Sequence, residues 1–165
     1  MKRFSILLAF TALTLPATLL AQDDDKVDKI INDSKEAKAE FIKSDGLMQN
    51  LFDHSYGYVI FPNVGKGAIG VGGAAGNGIV FEKENIVGKA KMKQVSVGFQ
   101  FGGQAYREVI FFENKAALDR FKEDKFEFAA QVSGVAATKG ASANVKYRDG
   151  VLVFTQEKKG LMYEA

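Results

Sequence analysis

The sequence predicts an α+β fold, a glycine-rich, curved antiparallel β-sheet or partial barrel with N-terminal helices and one mid-chain helix. Three observations carry this expectation. Apolar side chains fall at helical spacing at Val27, Ile30, Ile31, Ala37, Phe41 and Ile42, with Lys and Glu between them. Short β-type runs follow at Tyr58-Val59-Ile60-Phe61, at positions 95 to 101 and at Val109-Ile110-Phe111-Phe112, each beside Gly, Pro or charged residues. Between the first two lies a tract, positions 65 to 78, with seven glycines in fourteen residues and Ala68, Ile69, Val71, Ala74 and Ala75 among them.

The N-terminal end reads as a leader. Lys2 and Arg3 precede an apolar stretch over positions 4 to 20, and Ala21 supplies a small residue where it stops. The stretch is at the lower limit for crossing a bilayer, and Pro16 near its end suits a cleavage region better than a stable span. Residues 1–21 are therefore expected to be a signal peptide cleaved near Ala21 and Gln22. Residues 22–165 are expected to form a single domain, periplasmic or secreted. About 144 residues suffice for one core, because a domain of that size buries roughly two-thirds or more of its unfolded surface.

Asp23, Asp24 and Asp25 are expected at the start of the first helix, where the macrodipole favours negative charge, and Ser44-Asp45-Gly46 ends it. A second short helix is expected over positions 47 to 52. The glycine tract is too apolar for a flexible linker and reads as tightly curved strand pairs with Gly76-Asn77-Gly78 as a turn. Asn114 is placed to cap a helix over positions 115 to 121, where Ala117, Leu118 and Phe121 make an apolar stripe. Phe126, Phe128, Ala130, Val132, Gly134 and Ala136 share one face of an extended run, and another run covers positions 141 to 147. Asp149-Gly150 before Val151-Leu152-Val153-Phe154 is the strongest hairpin signal in the chain.

Composition excludes several function classes. Loss of Lys2 and Arg3 with the leader takes the formal charge from +2 to zero, so long-range attraction to nucleic acid is not expected. With no cysteine, neither a disulfide nor a thiolate metal site is available, and with His54 the only histidine, a His-based triad or His-rich metal site would rest on that residue alone. Gly65-Lys66-Gly67-Ala68-Ile69-Gly70 matches G-x-G-x-x-G, but Val71-Gly72-Gly73-Ala74 would make a very poor helix, and the dinucleotide motif works only where its last glycine opens one. The expectation is structural glycine, no nucleotide, no metal, no cofactor and no catalysis.

One charge pattern has direction. Lys89, Lys91 and Lys93 alternate along an extended segment and share its face, and the same parity continues into Val95, Val97, Phe99 and Phe101. As a binding feature, this row would set ammonium groups on anionic headgroups, with Lys66 and Arg107 as lesser additions. As a structural feature, it is a strand end that protrudes from the sheet and discourages edge pairing.

Tyr56-Gly57-Tyr58-Val59-Ile60-Phe61-Pro62, the glycine tract with Gly76-Asn77-Gly78-Ile79-Val80, and Ser96-Val97-Gly98-Phe99-Gln100-Phe101-Gly102-Gly103-Gln104 ahead of Val109-Ile110-Phe111-Phe112 together resemble the SYLF lipid-binding domain family. Lys159-Gly160-Leu161 is similar to that family's closing segment. Within the resemblance, Gly98, Gly102, Gly103 and Gln104 are the structural signature. The resemblance implies an exported lipid-binding module, for anionic phospholipid or phosphoinositide-type headgroups; phosphoinositide and actin-filament binding are attributed to eukaryotic relatives. The alternative is a structural or protein-interaction domain of the cell envelope. An apolar patch beside basic groups would favour the lipid, and a patch without a basic rim the protein partner.

Overall fold

A computed structural model of the chain describes residues 18–69, 71–97, 104–123 and 146–157. The elements run α1 (Thr18–Ser44), α2 (Met48–His54), β1 (Gly57–Ile69), β2 (Val71–Glu82), β3 (Asn85–Val97), β4 (Gln104–Phe112), α3 (Lys115–Lys122) and β5 (Val151–Glu157). All pairings are antiparallel, and the strand order is β3-β2-β1-β4-β5. The first three strands form a meander and β4 returns beside β1, which is Greek-key order, with β5 added outside β4. Among the described strands the sheet is not closed, so of the two expected architectures it is the curved sheet that forms, with β3 and β5 as the margins of the described strands.

Alternation along the strands divides the core into two faces. Tyr58, Ile60, Ile79, Phe81, Val109, Phe111, Leu152 and Phe154 lie on the first, against Ala37 and Phe41 of α1 and Met48 and Phe52 of α2. Phe52 stands edge-on to Tyr58 at 5.0 Å and to Phe111 at 4.8 Å. Helix α1 meets this face with a stripe that includes Ile30, Ser34, Ala37 and Phe41, spaced four, three and four residues apart. Val59, Phe61, Val64, Ala74, Val80, Met92, Ile110, Phe112, Val151 and Val153 lie on the second face, against Ala117, Leu118 and the partly buried Phe121 of α3.

Local chemistry accounts for the element ends. The Asn114 side-chain oxygen accepts the Ala117 N–H at 3.0 Å, the cap expected for α3. Asp45 breaks the chain between α1 and α2, and its carboxylate accepts the Leu47 N–H at 3.1 Å. Asp149 (φ 50°) and Gly150 (φ 78°) form the expected turn, closed by a bridge between Arg148 and Val151. The ladder of β5 is made with β4, from Phe112 opposite Val151 to Tyr106 opposite Glu157.

Two expectations are corrected. Gly76-Asn77-Gly78 is not a turn; it lies inside β2, opposite Val64 and Asn63 of β1 and opposite Met92, Lys91 and Ala90 of β3. The turn from β2 to β3 is Lys83-Glu84, where both residues adopt positive φ (48° and 71°) as a two-residue hairpin requires. Helix α1 begins at Thr18, so the aspartates fall beyond its first turn; the Leu and Ala ahead of them are strong helix formers. The extended run expected over 126–136, and positions 141–145 of the one expected over 141–147, lie outside the described residues.

Candidate functional site

The β2–β3 hairpin carries the site. Its strands pair from Val71 opposite Val97 to Glu82 opposite Asn85, and the register shifts where Val80 faces Gly88 and Phe81 faces Ile86, leaving Val87 as the extra residue of a β-bulge. Past the bulge, Lys89, Lys91 and Lys93 stand opposite Ile79, Asn77 and Ala75. Met92 and Ala90 turn into the second-face cluster instead. The three lysines are therefore on the first face of the sheet. Helix α1 packs over β1 and β2 there, and β3 is the margin beyond them. All three side chains are exposed, and none pairs with a carboxylate among the described residues.

The acids nearest the hairpin turn are tied to the protein body. Glu82 accepts the Tyr56 hydroxyl at 2.7 Å and Lys122 Nζ at 3.1 Å. Those two bonds, the Tyr56 one first, hold its carboxyl below the usual carboxylate range, and the same bond raises the Tyr56 phenol. Glu84 accepts Lys38 Nζ at 2.9 Å and the Tyr58 hydroxyl at 3.1 Å. Burial, then the Glu84 charge and hydrogen bond, push the Tyr58 phenol well above its ordinary value. Lys38 also lies over the Phe52 and Tyr58 rings at 4.9 and 5.3 Å from their centroids. Both turn carboxylates thus have cations of their own, Lys122 and Lys38, and neither offsets the β3 lysines.

The other expected site residues do not join this row. Position 66 lies in β1, paired with Ala74 of β2, and so is not on β3 with the other three. Arg107 is 15% exposed beneath α1: its Nη1 donates to Gln156 Oε1 at 3.0 Å and lies 3.7 Å from Glu40 Oε2, while the Gln156 amide donates to Ser44 Oγ. Arg107 therefore docks α1 onto β4 and β5. It also borders a cleft of about 180 Å³ with Lys29, Asp33, Glu36, Ala37, Pro62 and Asn63, in which Asp33 accepts from Lys29 at 3.0 Å and from Asn63 at 2.9 Å. Gly98, Gly102 and Gly103 lie outside the described residues, and Gln104 opens β4 opposite position 66.

Positions 65–69 of the G-x-G-x-x-G run lie in β1, and strand β2 begins at Val71 where the motif would need a helix to receive a pyrophosphate. His54 ends α2 with Nδ1 2.9 Å from the Asn50 carbonyl oxygen. Among the described residues no group of three or more His, Asp or Glu stands close enough to hold a metal ion, and no helix is long and apolar enough to cross a membrane.

Two features escaped sequence reasoning. Ile86 and Val87 are 46% and 43% exposed beside the lysine row. Glu108, between Phe61 of β1 and Thr155 of β5, is 4% exposed, and burial raises its carboxyl to about 7. The second was readable, since Glu108 shares parity with Ile110 and Phe112.

Residues 93–164 match the family model Ysc84, described as Las17-binding protein actin regulator. Beta cell expansion factor A of Aeromonas veronii is 32% identical over 118 residues, which cover 70% of this chain and 44% of that protein. The matched region thus spans less than half the length of this relative. The family match takes in the end of β3, β4, α3 and β5, and with that relative it confirms the resemblance read from the strand and glycine motifs: the chain belongs to the SYLF (Ysc84) family.

Proposed function

We propose that the chain is an exported, non-catalytic module that binds an anionic lipid surface, of phospholipid or phosphoinositide-type headgroups, along the β3 margin of its sheet. The observation that carries this reading is the row of Lys89, Lys91 and Lys93, three exposed ammonium groups on one face of a marginal strand with no carboxylate partner among the described residues. SYLF domains are in general binding domains rather than enzymes, which supports the non-catalytic part. Export rests on the leader expected over residues 1–21. An intact mass starting near Gln22 for protein recovered outside the cytoplasm is the expected result; a mass retaining those residues, in the membrane pellet, would make the N-terminus an anchor.

With the mature charge at zero, attraction must come from a local cluster within a Debye length of about 8 Å at physiological salt. Three lysines at about 1 kcal/mol each change membrane partitioning by roughly a hundredfold. Changing Lys89, Lys91 and Lys93 together to Gln should therefore cut co-sedimentation with phosphatidylglycerol-containing vesicles by about that factor, remove most of its salt dependence and leave the melting temperature nearly unchanged. Equal binding by the variant, or equal binding to purely phosphatidylcholine vesicles, would sink the reading. The family description, Las17-binding protein actin regulator, favours a protein partner as the second reading, and vesicle-independent binding to an envelope protein is the result that would raise it above the first.

A further inference from the structure

The β2–β3 hairpin holds a second feature next to its lysines. Among the described residues three large apolar side chains are conspicuously exposed, Leu47, Ile86 and Val87, and two of them are consecutive on this hairpin. Neighbouring strand residues ordinarily point to opposite faces, so one of such a pair would be expected in the core. Here the bulge intervenes: Ile86 pairs with Phe81, Gly88 pairs with Val80, and Val87 has no partner. Both aliphatic side chains are left in solvent at the start of the marginal strand, one and two residues past the turn's closing pair.

We infer that Ile86 and Val87 form an apolar wedge that enters the boundary between headgroups and acyl chains while the β3 margin lies along the membrane surface. This rests on the lipid reading above and deepens it. At a rise of about 3.3 Å per residue, Lys89, Lys91 and Lys93 lie about 10, 17 and 23 Å along β3 from Ile86. A hairpin standing upright on its tip would hold Lys93 far beyond a Debye length of about 8 Å. Only with the margin laid along the surface do the wedge and all three ammonium groups reach the bilayer together. The acids that would oppose such an approach are drawn back, Glu82 onto Tyr56 and Lys122 and Glu84 onto Tyr58 and Lys38. The turn is fixed by its two positive-φ residues, so the wedge is presented without first having to be ordered.

The sequence contains no tryptophan, which makes an Ile86→Trp variant a single-site reporter. On vesicles containing phosphatidylglycerol its emission should shift to the blue and be quenched by lipids brominated on the acyl chains, with neither change on phosphatidylcholine alone. The double change Ile86→Asn and Val87→Asn, which keeps Lys89, Lys91 and Lys93, should weaken co-sedimentation roughly tenfold or more, as loss of two partly buried aliphatic contacts implies. If Ile86→Trp co-sediments but stays unquenched, or if the double variant binds as well as the parent, the wedge is overturned while lysine-dependent binding stands, and the exposed pair belongs to a protein contact. If the parent itself fails to bind anionic vesicles, the lipid reading falls and the wedge with it.

Discussion

Glu108→Gln should stabilise the protein at and above pH 7 by roughly 3 kcal/mol relative to its effect at pH 4. In the folded chain the Glu108 carboxyl is 4% exposed on β4, on the α3 face, with Phe61 and Thr155 across the strands and Tyr106 and Ile110 two residues away along its own strand. Charged Arg107 is next in sequence but on the other face, beneath α1. Burial alone raises the folded carboxyl to about 7 against an ordinary value of 4.5. Between those two values the folded chain keeps a proton that the unfolded chain has shed, so stability falls as pH rises from 4.5 to 7 and stays lowered above. About 2.5 pH units at 1.36 kcal/mol each give the roughly 3 kcal/mol, on the order of 10 °C in melting temperature. Gln has the shape of the neutral acid and cannot ionise, so its melting curve should lose this segment of pH dependence. Parallel pH profiles for Glu108→Gln and the parent would show that the carboxyl does not titrate in this range.

How much of this was legible follows from which interactions are local. The α1 stripe, the Asn114 cap and the Asp149-Gly150 turn each depend on residues within a few positions of one another, and all three were readable. Gly76-Asn77-Gly78 has the composition of a turn, but its conformation is decided by Val64, Asn63, Met92, Lys91 and Ala90, partners up to sixteen residues away. Local composition carries no trace of them. The alternation of Lys89, Lys91 and Lys93 gave their common face, while their position at the margin depends on β4 returning to β1 rather than to β3. The place of Arg107 beneath α1 was hidden for the same reason, because its partners Glu40 and Gln156 come from α1 and β5. The exposed Ile86 and Val87 depend on a one-residue register shift that no spacing rule announces.

The glycine tract leads to the last expected result: Gly78→Ala should destabilise the fold severely, and Gly65→Ala should not. Both glycines lie in paired strands, so backbone entropy affects them alike, and the difference comes from what a methyl group would meet. At position 78 a Cβ would stand 2.6 Å from the Ile60 carbonyl oxygen and 2.7 and 2.9 Å from two carbons of the Phe61 ring, all closer than real Cβ contacts come. The cause is the irregularity in β1: Ile60 pairs with Ile79 and Asn63 with Asn77, so Phe61 and Pro62 crowd the one position between, which is Gly78. Phe61 is itself buried in the second-face cluster and has nowhere to swing. A backbone oxygen cannot yield without parting β1 from β2. The cost should be on the order of 3 kcal/mol, the upper end of what overpacking exacts, or loss of folding altogether. At position 65 nothing lies within 4 Å of the added carbon, and Ala should be neutral or gain up to about 1 kcal/mol by restricting the unfolded chain. Urea unfolding of the two variants side by side tests this. Equal midpoints would mean that β1 and β2 can separate at the bulge without penalty, and that the glycine at position 78 is not required by the close approach of the strands.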